Sequence, residues 1–252
     1  MILREQLVRF LNQELQSDKI RDYCPNGLQV EGKAQITKLV TGVTASQALL
    51  DAAVKAGADA IVVHHGYFWK GEAAEVTGMK KRRLQTLLKH DINLLAYHLP
   101  LDVHPTLGNN AQLGALLQAE NISAVSQVEP LGVLMQGVLA EPTPVQMIAS
   151  RLEHTLGRQV LLHQAGDTAV TKLAWCTGGG QGYIEQAAAA GAQLFISGEV
   201  SEQTIHVSRE LGIHFIAAGH HATERYGVKA LGEFIARQLA LDVEFIDIDN
   251  PA

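Results

Sequence analysis

The sequence predicts an α/β layered protein built from two similar halves. Three observations carry this reading. Apolar runs of strand length alternate with segments of helical periodicity along the 252 residues. The stretch starting at Thr37 returns at Thr171 with the same order of strand, helix, glycine stop and strand. Each half also closes an apolar strand with a histidine followed four residues later by a carboxylate, His98 with Asp102 and His220 with Glu224.

Taken in order, residues 2–16 place Ile2, Leu3, Leu7, Phe10, Leu11 and Leu15 on one helical face, and CPNG at 24–27 breaks the helix. LQVEG (28–32) is a short strand, and ITKLVTGVT (36–44) a strand leading into a helix over 46–56 that stops at Gly57. DAIVVHHG (59–66) is a buried strand and YFWKGEAAEVTG (67–78) a loop. A basic helix over 78–90, the strand INLLAYH (92–98), the loop PLDVHPTLGNN (100–110) and a helix over 110–119 complete the first half. In the second, VLMQGVLA (133–140) is a strand. The helix over 144–156 is capped by Thr143, has Pro144 in its first turn and ends at Gly157. QVLLHQ (159–164) is a strand, and the pattern of the first half then returns.

The repeat matches Thr-Lys-Leu with Thr-Lys-Leu, Gln47 with Gln181, and Ala-Gly-Ala at 56–58 with 190–192. Two Ala/Gly-rich helices would account for the last match but not for the paired His-x-x-x-acid endings, so duplication is the preferred explanation. The expected division is 1–128, with His64, His65, His98 and Asp102, and 129–252, with His220 and Glu224. The two parts form one compact unit with a site at their seam.

Composition narrows the function. A formal net charge of −6 argues against general affinity for nucleic acid. The first 16 residues mix apolar and charged side chains, unlike a signal peptide, and no apolar run approaches the roughly 18 residues of a membrane span. Cys24 and Cys176 are too isolated for a disulfide framework, a redox pair or a thiolate zinc site, so a reducing cytoplasmic setting is expected.

The 11 histidines are the feature to explain. Ligands in open α/β sheets collect at the C-terminal ends of strands, where His64, His65, His98 and His220 are predicted. Neighbouring side chains on a strand point to opposite sides, so His64 and His65 are expected to serve different ions of a close pair. Asp102 and Glu224 suit bridging positions, with His98 and His220 as terminal ligands. Imidazole with carboxylate fits two divalent ions among Zn, Fe, Mn, Co and Ni, and leaves coordination positions open for water or substrate. Any one of these histidines alone would be better read as a hydrogen-bonded strand-end residue; the matched set favours metal. Glu199 takes the place of His65 in the repeat alignment, which suits a catalytic acid/base facing the same cavity or, equally, a helix cap.

Other features read as structural first. His90, His104, His154, His163, His206 and His214 are hydrogen-bonding residues, with His104 and His206 near enough in sequence to support the site. GGG at 178–180 is a tight turn before an anion loop, because a Walker lysine and the GxGxxG spacing are missing. KKRR at 80–83 is a solvated helix face before a nucleotide or nucleic-acid contact. PNGL (25–28) and LGNN (107–110) are turns whose Asn26 and Asn110 offer amides to a ligand. Tyr67, Phe68 and Trp69 wall a pocket, stack a base or anchor their loop.

PNGLQVEG, VTGVTAS, VHHGYFWKG, HLPLD, LGNN, GEVSEQTIH and GHHATER together resemble the Nif-three-like family over essentially the whole chain. Its members are also labelled GTP cyclohydrolase I type 2 homologs, and the resemblance is to the bacterial YbgI-type proteins within it. It implies two intertwined three-layer α/β/α halves, a dinuclear metal site and a ring-shaped homohexamer. The implied ligands are His64, His65, His98, Asp102, His220 and Glu224, all of the required residue types. The implied function is a metal-dependent hydrolase, of cyclohydrolase type, acting on a purine nucleotide or related ring. The alternatives are a non-catalytic metal-binding ring acting in an assembly, and a nucleic-acid clamp, which the acidic balance disfavours.

Overall fold

The computed structural model describes all residues, Met1–Ala252. In chain order the elements begin β1 (Ile2–Leu3), α1 (Arg4–Glu14), β2 (Gly27–Val30), β3 (Gln35–Ile36), β4 (Lys38–Thr44), α2 (Gln47–Ala56) and β5 (Ala60–His65). There follow α3 (Gly78–Lys89), β6 (Asn93–Ala96), α4 (Leu99–Asp102), α5 (Asn109–Leu116), β7 (Glu120–Ala124), β8 (Met135–Thr143), α6 (Val145–Leu156) and β9 (Leu161–His163). Last come β10 (Val170–Cys176), a 3₁₀ turn at Gln181–Tyr183, α7 (Ile184–Ala189), β11 (Leu194–Ser197), α8 (Glu202–Leu211), β12 (His214–Ala217), α9 (His220–Leu239) and β13 (Asp242–Phe245).

The fold is mixed α/β, as the alternation of periods predicts. It packs as two units, Met1–Leu101 with Gly227–Asp249, and Asp102–Tyr226 with Asn250–Ala252. These bounds differ from 1–128 and 129–252. The chain leaves the first unit within α4, well before residue 128, and returns within α9 so that β13 joins the first sheet.

In the first unit the sheet order is β13-β4-β5-β6-β2, parallel except at β2. Ile61 and Val63 of β5 pack with Leu49, Leu50 and Ala53 of α2 and Leu87 of α3. On the other face α9 comes close enough to β4 that a Cβ on Gly232 would lie 2.8 Å from Thr41 Oγ1, and Phe10 of α1 stacks on Phe234 of α9 at 5.7 Å. Burial on both faces explains why β5 reads as an unbroken apolar run. Helix α2 forms where expected because Ser46 accepts a hydrogen bond from Leu49 N–H and Gly57 closes the helix in the left-handed conformation.

The second unit has the order β7-β8-β10-β11-β12-β9, with β10, β11 and β12 parallel. Leu173 and Trp175 of β10 pack with α5 and α6, while Ala174 and Cys176 face Ile184 and Ala187 of α7.

Local expectations were corrected at several places, among them the expected loop over 100–110, which holds most of α4 and the start of α5. Ile2 and Leu3 pair antiparallel with β3, so the first helix starts at Arg4. Thr143 closes β8, and Pro144 occupies the N-cap of α6. The strand β13, which runs parallel to β4, was not anticipated because its pairing partner lies some two hundred residues earlier.

Asp59 ties this first sheet together. Its carboxylate accepts from Lys33 Nζ at 2.6 Å, Thr37 N at 2.8 Å, Thr37 Oγ1 at 2.6 Å and Lys38 N at 3.2 Å. Burial alone would raise this carboxyl, but the donors hold it well below the usual carboxylate range. Asp59→Asn is expected to lose about 2 kcal/mol of stability at neutral pH. A carboxylate depressed in the folded state stabilises above its unfolded pKa. The difference between wild type and variant in denaturant melts should therefore be full above about pH 5 and shrink below about pH 4. A pH-independent difference would refute the ionic origin.

Candidate metal centre

In the first unit, His64 and His65 end β5, and His98 follows β6 after Tyr97. Their imidazole centroids are 4.5 Å apart for His64 and His65, 5.0 Å for His64 and His98, and 5.8 Å for His65 and His98. The two adjacent histidines therefore do not diverge as strict strand alternation predicts. His65 is the last residue of its strand, and the chain turns at Gly66. A side chain at Gly66 would overlap Gln29 Oε1, which accepts from Tyr67 N at 2.7 Å and fixes that turn.

Each ring is held at Nδ1. His64 Nδ1 meets the carbonyl of Tyr97 at 3.0 Å, His65 Nδ1 meets Thr44 Oγ1 at 3.0 Å, and His98 Nδ1 meets Asp22 Oδ1 at 3.0 Å. One donor atom from each of the three rings lies within 4.8 Å of the others, a group able to hold a metal ion. His64 and His98 are buried.

Asp22 was missed by the sequence reading. Its side chain is only 1% exposed, and it accepts from His98, from Asn26 Nδ2 at 3.0 Å and from Leu99 N at 2.9 Å. Burial would raise its pKa; the hydrogen bonds from His98 and Asn26 and the charge of His98 bring it to about 2. Asp22, Cys24 and His98 also present donor atoms within 4.8 Å of one another. Asn26, read as an amide for a ligand, instead accepts from His98 N at 2.8 Å.

In the second unit, His220 opens α9 and Glu224 lies one turn on, with His220 Nε2 3.1 Å from Glu224 Oε2. Glu199 Oε1 meets His220 Nδ1 at 2.7 Å, and Glu199 Oε2 accepts from Gln181 Nε2 at 3.2 Å. Glu199 thus holds His220 as Asp22 holds His98. Burial would lower the His220 pKa, but the hydrogen bonds and charges of Glu224 and Glu199 push it up to about 9. Asp102 is buried and accepts from Asn109 Nδ2 at 2.8 Å and Thr177 Oγ1 at 3.4 Å. Asn110 is committed to the backbone, donating to Gly132 and Val133 and accepting from Thr177 N. The GGG turn makes room for a ligand: Gly178 has φ +61°, and a methyl there would overlap Glu224 Oε1.

Several of the remaining histidines and bases have local partners. His104 Nδ1 accepts from Leu107 N, His163 pairs with Ser208, and His214 bridges Ala165 N and the Thr168 carbonyl. Lys80 pairs with Glu72 at 3.0 Å and lies over Phe68, and Arg83 lies over Tyr67.

A mixed α/β chain carrying an anchored imidazole trio and a second set of imidazole and buried carboxylates is, by class, a candidate metal-binding protein. Residues 2–251 match Duf34/NIF3 (NGG1p interacting factor 3), and the chain belongs to that family. It is 59% identical to the GTP cyclohydrolase 1 type 2 homolog of Yersinia pestis over 252 residues, 98% of each chain. The solved structure of protein ybgI, described as of unknown function, superposes with a TM-score of 0.96 at 55% identity over 100% of both chains. TTHA1606 from Thermus thermophilus gives a TM-score of 0.91 at 35% identity, also over 100% of both. No helix is long and apolar enough to cross a membrane.

Asp22→Ala is expected to weaken binding of added Zn or Co by roughly 10–100-fold in chelator competition, with the circular dichroism spectrum preserved. Asp22→Asn should recover part of this loss, because its amide oxygen still accepts from His98. Gly178→Ala should lower metal content by displacing Glu224, whereas Gly179→Ala, whose methyl would be 3.7 Å from its nearest neighbour, should not. Equal metal content in the two glycine variants would show that Gly178 is only a turn residue.

Proposed function

We propose that His64, His65, His98, Asp102, His220 and Glu224 act together as the ligands of two divalent ions, and that the protein is a metal-dependent hydrolase. The observation that carries this reading is the anchoring of the three first-unit imidazoles at Nδ1 with their donor atoms gathered within 4.8 Å. The three rings share one orientation rule and one locus. The Glu199–His220 pair repeats the Asp22–His98 pair. The recurrence of the Thr37 stretch at Thr171 supports an internal duplication giving two intertwined three-layer α/β/α halves.

Bound divalent ions at such a site supply Lewis acidity, the means by which two-metal hydrolases polarise a substrate oxygen and make water acidic. The chain's own residues orient the donors. Tyr97 O, Thr44, Asp22 and Glu199 hold the four rings, while Asn109 and Thr177 hold Asp102. Glu199 meets His220 Nδ1 and has nearly half of its side chain exposed, which suits it to exchange a proton with water directly as an acid/base group. The name shared by the relatives, GTP cyclohydrolase 1 type 2 homolog, supports a purine nucleotide or related ring as substrate class. Family membership likewise supports a ring-shaped homohexamer, which light scattering of the purified chain tests directly.

The decisive experiment is metal content per chain on protein purified without chelators, followed by a screen of nucleotides, esters, amides and phosphoesters. About two ions per chain with metal-dependent turnover is expected. His65→Ala and Glu224→Ala should each lose most of the metal while remaining folded. Unchanged metal in both variants sinks the ligand assignment. Full metal without turnover on any substrate would favour a non-catalytic metal-binding ring.

A further inference from the structure

Resting on the metal-site reading above, we propose that Tyr23 and Trp69 form an aromatic wall beside the histidine trio, and that this wall stacks a flat heteroaromatic ring of the substrate. Of the three aromatic residues after the histidine pair, two are occupied with the loop itself. Tyr67 is buried and donates its hydroxyl to the Ala45 carbonyl at 2.8 Å, and the ring of Phe68 lies under Lys80 Nζ at 5.4 Å. Trp69 instead turns to the site. Its ring centroid is 5.0 Å from His98 and 6.0 Å from His65. Tyr23 joins it from a separate turn, 5.8 Å from Trp69 and 5.0 Å from His98.

The wall is built rather than incidental. Trp69 is oriented by its indole N–H, which donates to the Gly66 carbonyl at 3.2 Å, and by its backbone N–H, which donates to Glu72 Oε2 at 3.0 Å. The two turns are tied by Lys70 N donating to the Tyr23 carbonyl at 2.8 Å. Gln29 adds a second tie, accepting from Tyr67 N and donating to the Tyr67 carbonyl at 3.1 Å. Yet Tyr23 remains 52% exposed, and Trp69 is half-buried. Trp69, oriented by its own hydrogen bonds, and Tyr23, on a turn tied to the Trp69 loop, both touch His98 and reach solvent, and together they form a stacking surface. Stacking tolerates substituents because every base has a π-face, so such a wall selects for flatness rather than for one base.

The tryptophans allow a direct test. The chain has two, and Trp175 is fully buried, so quenching by a ligand in solution reports Trp69. Full-length, metal-loaded protein is titrated with guanosine monophosphate and nicotinamide mononucleotide as flat-ring probes, and with ribose 5-phosphate as the ringless control. Calorimetry is run on wild type, Tyr23→Leu, Tyr23→Phe, Trp69→Leu and Trp69→Phe. We expect saturable quenching by at least one ring probe and no displacement by ribose 5-phosphate. Each leucine variant should raise Kd about tenfold, and each phenylalanine variant should stay within about twofold. Unchanged affinity in both leucine variants, ribose 5-phosphate binding as tightly as the ring probes, or no saturable binding of either ring probe overturns the proposal. Metal content is measured on every sample, and the titrations are repeated after chelation. Absent metal in wild type with ring binding intact refutes the ligand assignment and leaves the wall standing. Full metal without ring binding does the reverse.

Discussion

An imidazole offers a metal one nitrogen in a defined direction only when the other nitrogen has a fixed partner. That constraint organises the candidate site. The partner is a backbone carbonyl for His64, a hydroxyl for His65, and carboxylates for His98 and His220. Two of the four partners come directly from sheet register. Thr44 is paired with His65 across β4 and β5, and Val63 is paired with Ala96, which places Tyr97 one residue beyond, next to His64. A one-residue slip between these strands would take both partners away and turn their side chains to the opposite face. The apolar runs that look like mere core are therefore what aims the polar residues after them.

The same economy explains the buried carboxylates. Taking Asp22, Asp102 and Glu224 out of water is unfavourable unless hydrogen bonds to the charged form replace the lost solvation. Asp22 receives four donors, one of them His98 itself, so anchoring the ring and ionising the acid are one interaction. Asp102 receives neutral donors from Asn109 and Thr177. Neutral donors of this kind solvate a carboxylate without cancelling its attraction for a cation, as a lysine or arginine would.

Much of this was legible in the sequence, for identifiable reasons. Helix α2 announces itself through Ser46, its apolar spacing and Gly57, and strand β5 through its apolar run. The His220-x-x-x-Glu224 ending was legible because the start of α9 brings residues four apart to one helical side. Asp22 was not visible. It lies 76 residues before His98, in a turn whose Asp-Tyr-Cys-Pro-Asn-Gly composition already has a local explanation. The pairing of β13 with β4 was hidden likewise, since periodicity reports on a segment and not on its distant neighbour. Glu199 was found by repeat alignment, but alignment with His65 suggested a residue facing a cavity. In the fold it also meets His220 Nδ1, a contact the alignment did not foresee because it carries strand position and not side-chain direction.

Asp22 and Glu199 make the same bond in different surroundings, and the difference has consequences. The Asp22 side chain is 1% exposed and the Glu199 side chain 46%. In the low dielectric around Asp22 its hydrogen bond to His98 is strong, and breaking it would strand a buried charge. Around Glu199 water competes for the same oxygens, and Gln181 already takes one of them. The His98 ring is therefore fixed by an interaction that solvent cannot reach, whereas the anchor of His220 can be exchanged for water. Of the four histidines, His220 is the one whose carboxylate partner stands at the surface, where a proton arriving from solvent meets it first.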